Sequence, residues 1–455
     1  MFFGYIGDYR KINSYLAIIP EGDPLVLIEF SVTNFRSIKE RQVFSMMPAG
    51  KIKLTELSDN VISKDSNEYG LSLLKSTVFY GANASGKSNF LRALGGLKHL
   101  VIKSIDYKLD ENIKPYEPFK LNKKNNQNPV EFEIDFIAKD RIRYLYKVVF
   151  TGKEFLFESL FFYPQRQRSK LFIREKGKPI QYGDYFKGIK KHQLLNNQLL
   201  LSKAGTTLIE PLIEPYRFFS TYLFRSIFHG QGLNDALLSG VTKLLMGKKG
   251  EDLQKNIHKL LCKADTGITD FTTKELTPDD FDFPNDFPEE EKNKIVDRYK
   301  YRIKTLHNLY DDENLIGKES FDLREESAGT IKLFVVGLLM LDALSDGSVI
   351  IIDELDKSLH PNLTRMLIKL FHNEKNNPNH AQLIFATHDI SMIDITLLRR
   401  DQIWLTEKDS YGATEIYPLS DFTGISKVKT LDNWYLHGRF GGVPKLYEAE
   451  FDLVW

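Results

Sequence analysis

The chain has one cysteine, Cys262, in 455 residues. That excludes an internal disulfide framework and suits a reducing compartment, so a cytoplasmic protein is expected. An excess of either charge is also lacking. Lys and Arg number 62, Asp and Glu 61, and the formal net charge is +1. No global field draws such a chain to nucleic acid, although a local basic groove is compatible with the balance. Long hydrophobic runs are missing too. The longest, Phe334 to Leu341, falls far short of a bilayer span. Met1 to Pro20 has no apolar core of the signal-peptide kind. No membrane partner is expected.

What remains is a globular composition, 42% apolar, with length enough for two or three domains. Its most specific stretch is Gly81-Ala82-Asn83-Ala84-Ser85-Gly86-Lys87-Ser88, a full match to G-x-x-x-x-G-K-[ST]. With average residue usage the bare pattern arises by chance in roughly one chain in fifty of this size. The flanks narrow it further, because Ser76 to Tyr80 is strand-like and Asn89 to Leu94 helix-like. A strand–loop–helix of this kind cradles phosphate. Gly81 and Gly86 let the backbone curl so that N–H groups point inward, and the helix start adds its positive dipole end. Lys87 is placed for the β- and γ-phosphates of ATP, and Ser88 for Mg2+.

A second stretch answers the first. Val349-Ile350-Ile351-Ile352 is apolar enough for a buried strand, and Asp353-Glu354 ends it. Asp353 suits the magnesium shell. Glu354 suits a residue that orients or deprotonates an attacking water. Gln382 to Ala386 reads as another buried strand, ending in Thr387-His388, where a histidine can donate to a γ-phosphate. Ser327 reads as the N-cap of an apolar helix over Ile331 to Leu344, with Ala328 and Gly329 on its first turn. Small residues at a helix start allow close approach and attract anions.

Between these landmarks the patterns change. Leu25 to Val32 and Gln42 to Met46 read as strands, and residues 48–70 as a loop-rich bridge. Val130 to Phe136 alternates apolar with acidic residues, and Ile142, Tyr144, Tyr146, Val148 and Phe150 alternate again. With Phe155 to Tyr163 and Lys170 to Arg174 they predict a lobe of antiparallel hairpins. Arg166, Arg168 and Lys170 at one connection, and Lys187, Lys190, Lys191 and His192 further on, read as solvated basic faces. Residues 186–260 read as helical, 277–292 as an exposed acidic loop, Ile295 to Leu306 as helix and Tyr310 to Asp322 as a strand pair. The expected organisation is an N-terminal appendage over 1–24 and the first half of an ATPase core over 25–115. A β-rich lobe over 116–185, a helical insertion over 186–320 and the second half of the core with a C-terminal segment over 321–455 complete it.

Cradle, small-residue helix start, Asp-Glu strand and strand-His occur in the order of ABC-type ATPases, and the opening strand with Asn34-Phe35-Arg36-Ser37 resembles SMC- and RecF-type heads. The Ser-Ala-Gly-Thr, Asp-Glu and Leu-His-Pro wording and the β-lobe are similar to the AAA_15/AAA_21 ATPases. These include the ATPase half of overcoming-lysogenization-defect (OLD) nucleases and the RloA-, PtuA- and AriA-like subunits of bacterial anti-phage systems. Tyr435-Leu436-His437-Gly438-Arg439-Phe440-Gly441-Gly442-Val443-Pro444 resembles the Gly-Arg-Tyr-Gly-x-x-Pro ending of the RloA-like group. The resemblance implies an α/β fold, an ABC-type P-loop ATPase head with a β-rich lobe and an inserted helical subdomain. It implies that Gly81, Asn83, Gly86, Lys87, Ser88, Asp353, Glu354 and His388 of one subunit hold ATP, while Ser327 and Gly329 of a second close over the γ-phosphate. It makes Arg36 a nucleotide contact and either Gln193 or Gln198 a magnesium-sensing glutamine. Two departures stand out: Ser-Ala-Gly-Thr replaces Leu-Ser-Gly-Gly-Gln, and Leu359-His360 stands where many relatives have Leu-Asp.

An OLD nuclease would carry a Toprim domain after the ATPase. The roughly fifty residues after the Thr-His strand and its helix are too few for one, and Asp401, Glu407 and Asp409 do not make its metal pattern. The expected function is an ATPase, not itself a nuclease, of a bacterial anti-phage system. It would work as a homo-oligomer, answer a phage-derived trigger and control a separately encoded effector, a nuclease. Contact with nucleic acid stays open. The alternative is a RecF/SMC-like ATPase that clamps DNA in repair. A transporter's nucleotide-binding domain fits the β-lobe and long insertion poorly.

Overall fold

The computed structural model describes residues 25–444 except 51, 65–69, 165–166, 187–192, 228–234, 248, 285, 426–427 and 429. The appendage expected over 1–24, Arg166 and the basic run from Lys187 to His192 lie outside the described residues. By contacts the chain divides into two units. One comprises residues 1–228, 346–355 and 368–455, the other residues 229–345 and 356–367.

The first unit is built on a six-stranded sheet. Its order is Leu223–Ile227, Val349–Ile352, Gln382–Ala386, Ser76–Gly81, Ile403–Lys408, Thr414–Pro418. The first five strands run parallel and only the last is antiparallel to its neighbour. The cradle, acidic and switch strands (Ser76–Gly81, Val349–Ile352, Gln382–Ala386) are buried along their whole length. That is why they read as continuous apolar runs rather than alternating ones. Leu223–Ile227 falls in a region whose sequence reads as helical; it adds a parallel strand beside Val349–Ile352 instead.

A seven-stranded antiparallel sheet forms the β-rich lobe expected from the alternation. Val130–Ile137 pairs with Arg143–Phe150, Phe132 standing opposite Val148 and Val130 opposite Phe150. The inward residues of both are fully buried, while Glu131 meets Lys147 at 2.7 Å on the outer side. The strands Val26–Thr33 and Gln42–Ser45 extend this same sheet. Aromatic rings lock the two sheets to the cradle helix, Lys87–Lys103. Phe44 lies 5.2 Å from both Phe79 and Trp404, and Phe90 of the helix lies 5.3 Å from Phe79 and 5.7 Å from Phe30. Each such ring buries area worth about 1.5–3 kcal/mol, so the helix that begins at Lys87 is held from both sides.

The second unit contains helices Asp235–Leu245, Gly250–Lys263, Glu289–Arg298 and Ala328–Asp346, with a three-stranded antiparallel sheet of Ile268–Glu275, Tyr301–Asp311 and Asn314–Asp322. Here the helix expected over Ile295 to Leu306 is corrected. It ends at Arg298, and Tyr301 opens a strand. Ile303 and Thr305 are buried while Arg302 and Lys304 are exposed, a period of two too short to stand out beside the helix before it. The apolar helix Ala328–Asp346 is long and apolar enough by composition to cross a membrane, with mean hydropathy 1.7, but 61% of that window is buried inside the protein.

The edge of the core sheet opposite the cradle is closed by a buried polar network. Ser76 Oγ lies 2.7 Å from His372 Nε2, and Gln402 Nε2 donates to Ser76 O at 2.9 Å and lies 2.8 Å from its Oγ. Gln402 Oε1 accepts from Asn60 Nδ2 at 2.8 Å and from Arg399 N at 2.8 Å. Burial, then the charges of Lys75 and Lys369, push the His372 imidazole down to about 3. The folded chain therefore keeps it neutral while an unfolded chain protonates it below about pH 6.5. Stability from this group is present above pH 6.5 and is lost as pH falls toward 3. We expect about 2 kcal/mol lost from it between pH 7 and pH 5. Denaturant melts at the two pH values should give a smaller loss in His372→Gln than in the unmodified chain; equal losses would contradict the buried neutral histidine.

Candidate functional site

Between Gly81 and the helix at Lys87 the chain makes the expected loop. Its glycines are demanded by neighbours far away in sequence. A β-carbon at Gly81 would collide with the side chain and carbonyl of Thr406, and one at Gly86 with the side chain of Thr414. Gly86 also sits at φ +116, a conformation that other residues rarely adopt. The two threonines then tie the loop down. Thr406 Oγ1 donates to Tyr80 O at 3.1 Å and meets Ser85 Oγ, while Thr414 Oγ1 donates to Ser85 O at 2.7 Å. Lys87 Nζ folds over the loop and donates to Gly81 O at 2.7 Å and Ala82 O at 3.1 Å. Asn83 is exposed at the loop tip, and Ser88 is half-buried on the first helical turn.

Strand register fixes what faces this loop. Ala386 stands opposite Phe79, and Ile352 opposite Phe385. Asp353, Glu354, Thr387 and His388 therefore leave the sheet at the same carboxyl-end edge as the cradle, where ligands of parallel sheets bind. The acidic and cradle strands are separated by one strand, about 9.6 Å at ordinary spacing. Asp353 is 4% exposed, and neither carboxylate oxygen has a hydrogen-bond partner. Glu354 has φ +55, strained for a residue with a side chain. His388 is exposed. Beside it, Asp389 Oδ1 accepts from Ser391 N at 2.9 Å, its carbonyl accepts from Tyr80 Oη at 2.9 Å, and its Oδ2 is buried without a partner.

The family model AAA_21, described as "AAA domain, putative AbiEii toxin, Type IV TA system", matches residues 76–394, well over half of the chain. The chain belongs to this AAA family. It is an ATPase-type, ATP-binding fold. No curated protein sequence matches it. Among solved structures it is similar to the SMC head domain from Thermotoga maritima, at 12% identity and a TM-score of 0.38, covering 86% of this chain and 98% of that one. It is similar to the Smc head domain with an extended coiled coil from Pyrococcus furiosus, bound to the C-terminal domain of ScpA, at 12% identity and a TM-score of 0.39, covering 91% and 99%. The recombination mediator RecF with ATP gives 12% identity and a TM-score of 0.36, covering 80% and 93%.

In this AAA chain the donor set fits magnesium. A buried, unpaired carboxylate at Asp353 and a hydroxyl at Ser88 are hard oxygen ligands, and magnesium takes one or two such protein oxygens beside phosphate and water. Arg36 is brought to the cradle helix: its Nη1 donates to Asn89 Oδ1 at 3.3 Å. Most of its guanidinium is committed to Glu117, at 2.8 and 3.0 Å. The turn that carries it is fastened to the cradle by Ser37, whose Oγ accepts from Asn89 Nδ2 at 2.8 Å and whose carbonyl accepts from Thr414 N at 2.7 Å. Of the two glutamines, Gln198 is a brace. Its Nε2 donates to Ile105 O and Tyr107 O at 3.0 and 3.1 Å, and its Oε1 accepts from Leu195 N at 3.2 Å. Gln193 is exposed.

Ser327 and Gly329 belong to the second unit. Ser327 caps the apolar helix as read, its Oγ accepting from Thr330 N at 3.1 Å. Gly329 approaches Ser358 so closely that a β-carbon would lie 2.6 Å from its carbonyl oxygen. The residue before the cap, Glu326, is held by the Thr305 hydroxyl and by His307 Nε2 at 2.7 Å. Sequence reasoning missed Thr406, Thr414, Glu117 and His307. None has a local signal; each acts through a partner at least nineteen positions away.

Asp353 gives the sharpest test of the metal assignment. Burying an unpaired carboxylate costs several kcal/mol, so Asp353→Asn should raise the melting temperature of nucleotide-free protein by a few degrees. The same variant should lose the magnesium dependence of nucleotide binding. A lower melting temperature without nucleotide would contradict the unpaired buried charge.

Proposed function

We propose that this chain is the ABC-type ATP-binding and ATP-hydrolysing subunit of a bacterial anti-phage defence system, working in the cytoplasm as a homo-oligomer that controls a separately encoded effector, a nuclease. The observation that carries the ATPase part is the unpaired Asp353 carboxylate at the same sheet edge as the glycine cradle. Membership of the AAA_21 family and the wording of Tyr435 to Pro444 support the defence part.

In this reading the backbone N–H groups from Gly81 to Gly86 and the side chain of Lys87 hold the β- and γ-phosphates. Ser88 and Asp353 hold magnesium, which when bound neutralises charge on the transferring phosphoryl group. Glu354 takes or orients the proton of the attacking water. His388 donates toward the γ-phosphate, and Arg36, beside the cradle helix, contacts the nucleotide. Ser327 and Gly329 of a second copy close over the nucleotide, so ATP binding becomes assembly, and a phage-derived trigger acts on that assembly. Effector cutting is assigned to the partner and not to this chain.

Lys87→Ala should abolish ATP binding by calorimetry; retained affinity would contradict the cradle. Glu354→Gln should bind ATP and lose at least roughly 10²-fold in turnover. Unchanged turnover would remove Glu354 from the water-activating role. Pull-down of Glu354→Gln with ATP from cells carrying the native locus should bring a stoichiometric effector. Recovery of DNA without a protein partner would favour the RecF/SMC-like repair reading instead.

A further inference from the structure

The last described segment folds back onto the first residue of the cradle. A short helix, Leu431–Leu436, leads into a turn that ends at Pro444. Tyr435, on that helix, is 6% exposed and packs its ring 5.8 Å from Tyr80 of the cradle strand. Its hydroxyl donates to Gly442 O at 3.1 Å. Burial pushes this hydroxyl up to about 12. A β-carbon on Gly442 would lie 3.7 Å from Gly81 Cα and 3.5 Å from Thr406 O. The turn is itself fixed to the core sheet. Tyr417 Oη donates to Phe440 O at 2.9 Å, and a β-carbon on Gly441 would collide with the Glu407 carboxylate. Arg439 stacks over Trp434 at 4.4 Å, and Trp434 lies 5.9 Å from Phe440.

We propose that this C-terminal turn is a brace for the phosphate cradle, with Tyr435 as the positioning residue that holds Gly442 against Gly81 and so steadies the carbonyl that receives Lys87. This rests on the ATP-binding reading above. Gly81 has no side chain, so its peptide is held only through its backbone, and its carbonyl is the one that receives Lys87 Nζ at 2.7 Å. Gly442, which Tyr435 holds, packs close to the α-carbon of that glycine. The brace explains why a tyrosine and a paired glycine stand so far from the loop they serve. Phenylalanine at 435 keeps the ring against Tyr80; glycine at 442 keeps the turn within reach of Gly81.

The test is ATP turnover and thermal melting of the full chain and of Tyr435→Phe. Removing one hydrogen bond of this kind should raise the KM for ATP roughly five- to tenfold, with kcat changed by less than about twofold. A purely structural role gives the opposite split, because partial unfolding lowers the active fraction and leaves KM alone. An unchanged KM in Tyr435→Phe overturns the brace. Gly442→Ala, strained at φ +70, is the second variant and should raise KM in the same way if Tyr435→Phe does not fold. Lys87→Ala separates the two readings. If the unmodified chain binds ATP, Lys87→Ala does not, and Tyr435→Phe matches the unmodified chain, only the brace fails. If the unmodified chain binds no ATP, the ATPase reading fails and the brace with it.

Discussion

Two glycines packed against two threonine side chains are the constraint on which the site depends. Gly81 leaves room for Thr406 and Gly86 for Thr414. Without those threonines the loop would have its curl but no fixed position; without the glycines the strands carrying the threonines could not close on it. The partners are separated by more than three hundred residues. The cradle is therefore complete only after the last strands of the sheet have docked, a non-local arrangement of the kind that folds slowly. The aromatic cluster of Phe30, Phe44, Phe79, Phe90 and Trp404 supplies apolar burial for that docking.

The chemistry at the sheet edge follows from the parallel arrangement. The cradle, switch and acidic strands end together, and each places its next residue at that edge. Asp353 is buried there without a hydrogen-bond partner, an arrangement that costs the chain stability and that a cation beside it would relieve. In the second unit the helix start follows a similar logic. Ser327 satisfies one helical N–H, Gly329 admits the Ser358 carbonyl, and Thr305 and His307 hold Glu326 just before the cap.

How much of this was legible in the sequence depends on how local each signal is. The cradle, the Asp353 strand, the Ser327 cap and the alternating lobe strands were readable because motif, cap and period-two pattern all lie within a few residues. The strand at Leu223–Ile227 and the one from Tyr301 were not. Each lies beside helical neighbours in sequence, and in the second only Ile303 and Thr305 are buried, too short an alternation to stand out. The resemblance implied a nucleotide contact for Arg36; its ion pair with Glu117, eighty-one positions away, leaves no local trace. The resemblance implied Gln193 or Gln198 as the magnesium-sensing glutamine; in the structure the amide of Gln198 is held by the carbonyls of Ile105 and Tyr107. The resemblance of Tyr435 to Pro444 to a known ending located a motif, and only the approach of Gly442 to Gly81 suggests a task for it.

The most direct test of the account is a crystal structure of the chain with magnesium and a non-hydrolysable ATP analogue. The account predicts the β- and γ-phosphates within the loop from Gly81 to Ser88, with the metal bound by Ser88 and held in place by Asp353. Nucleotide bound elsewhere, or phosphates in the loop with no metal near Asp353, would contradict it.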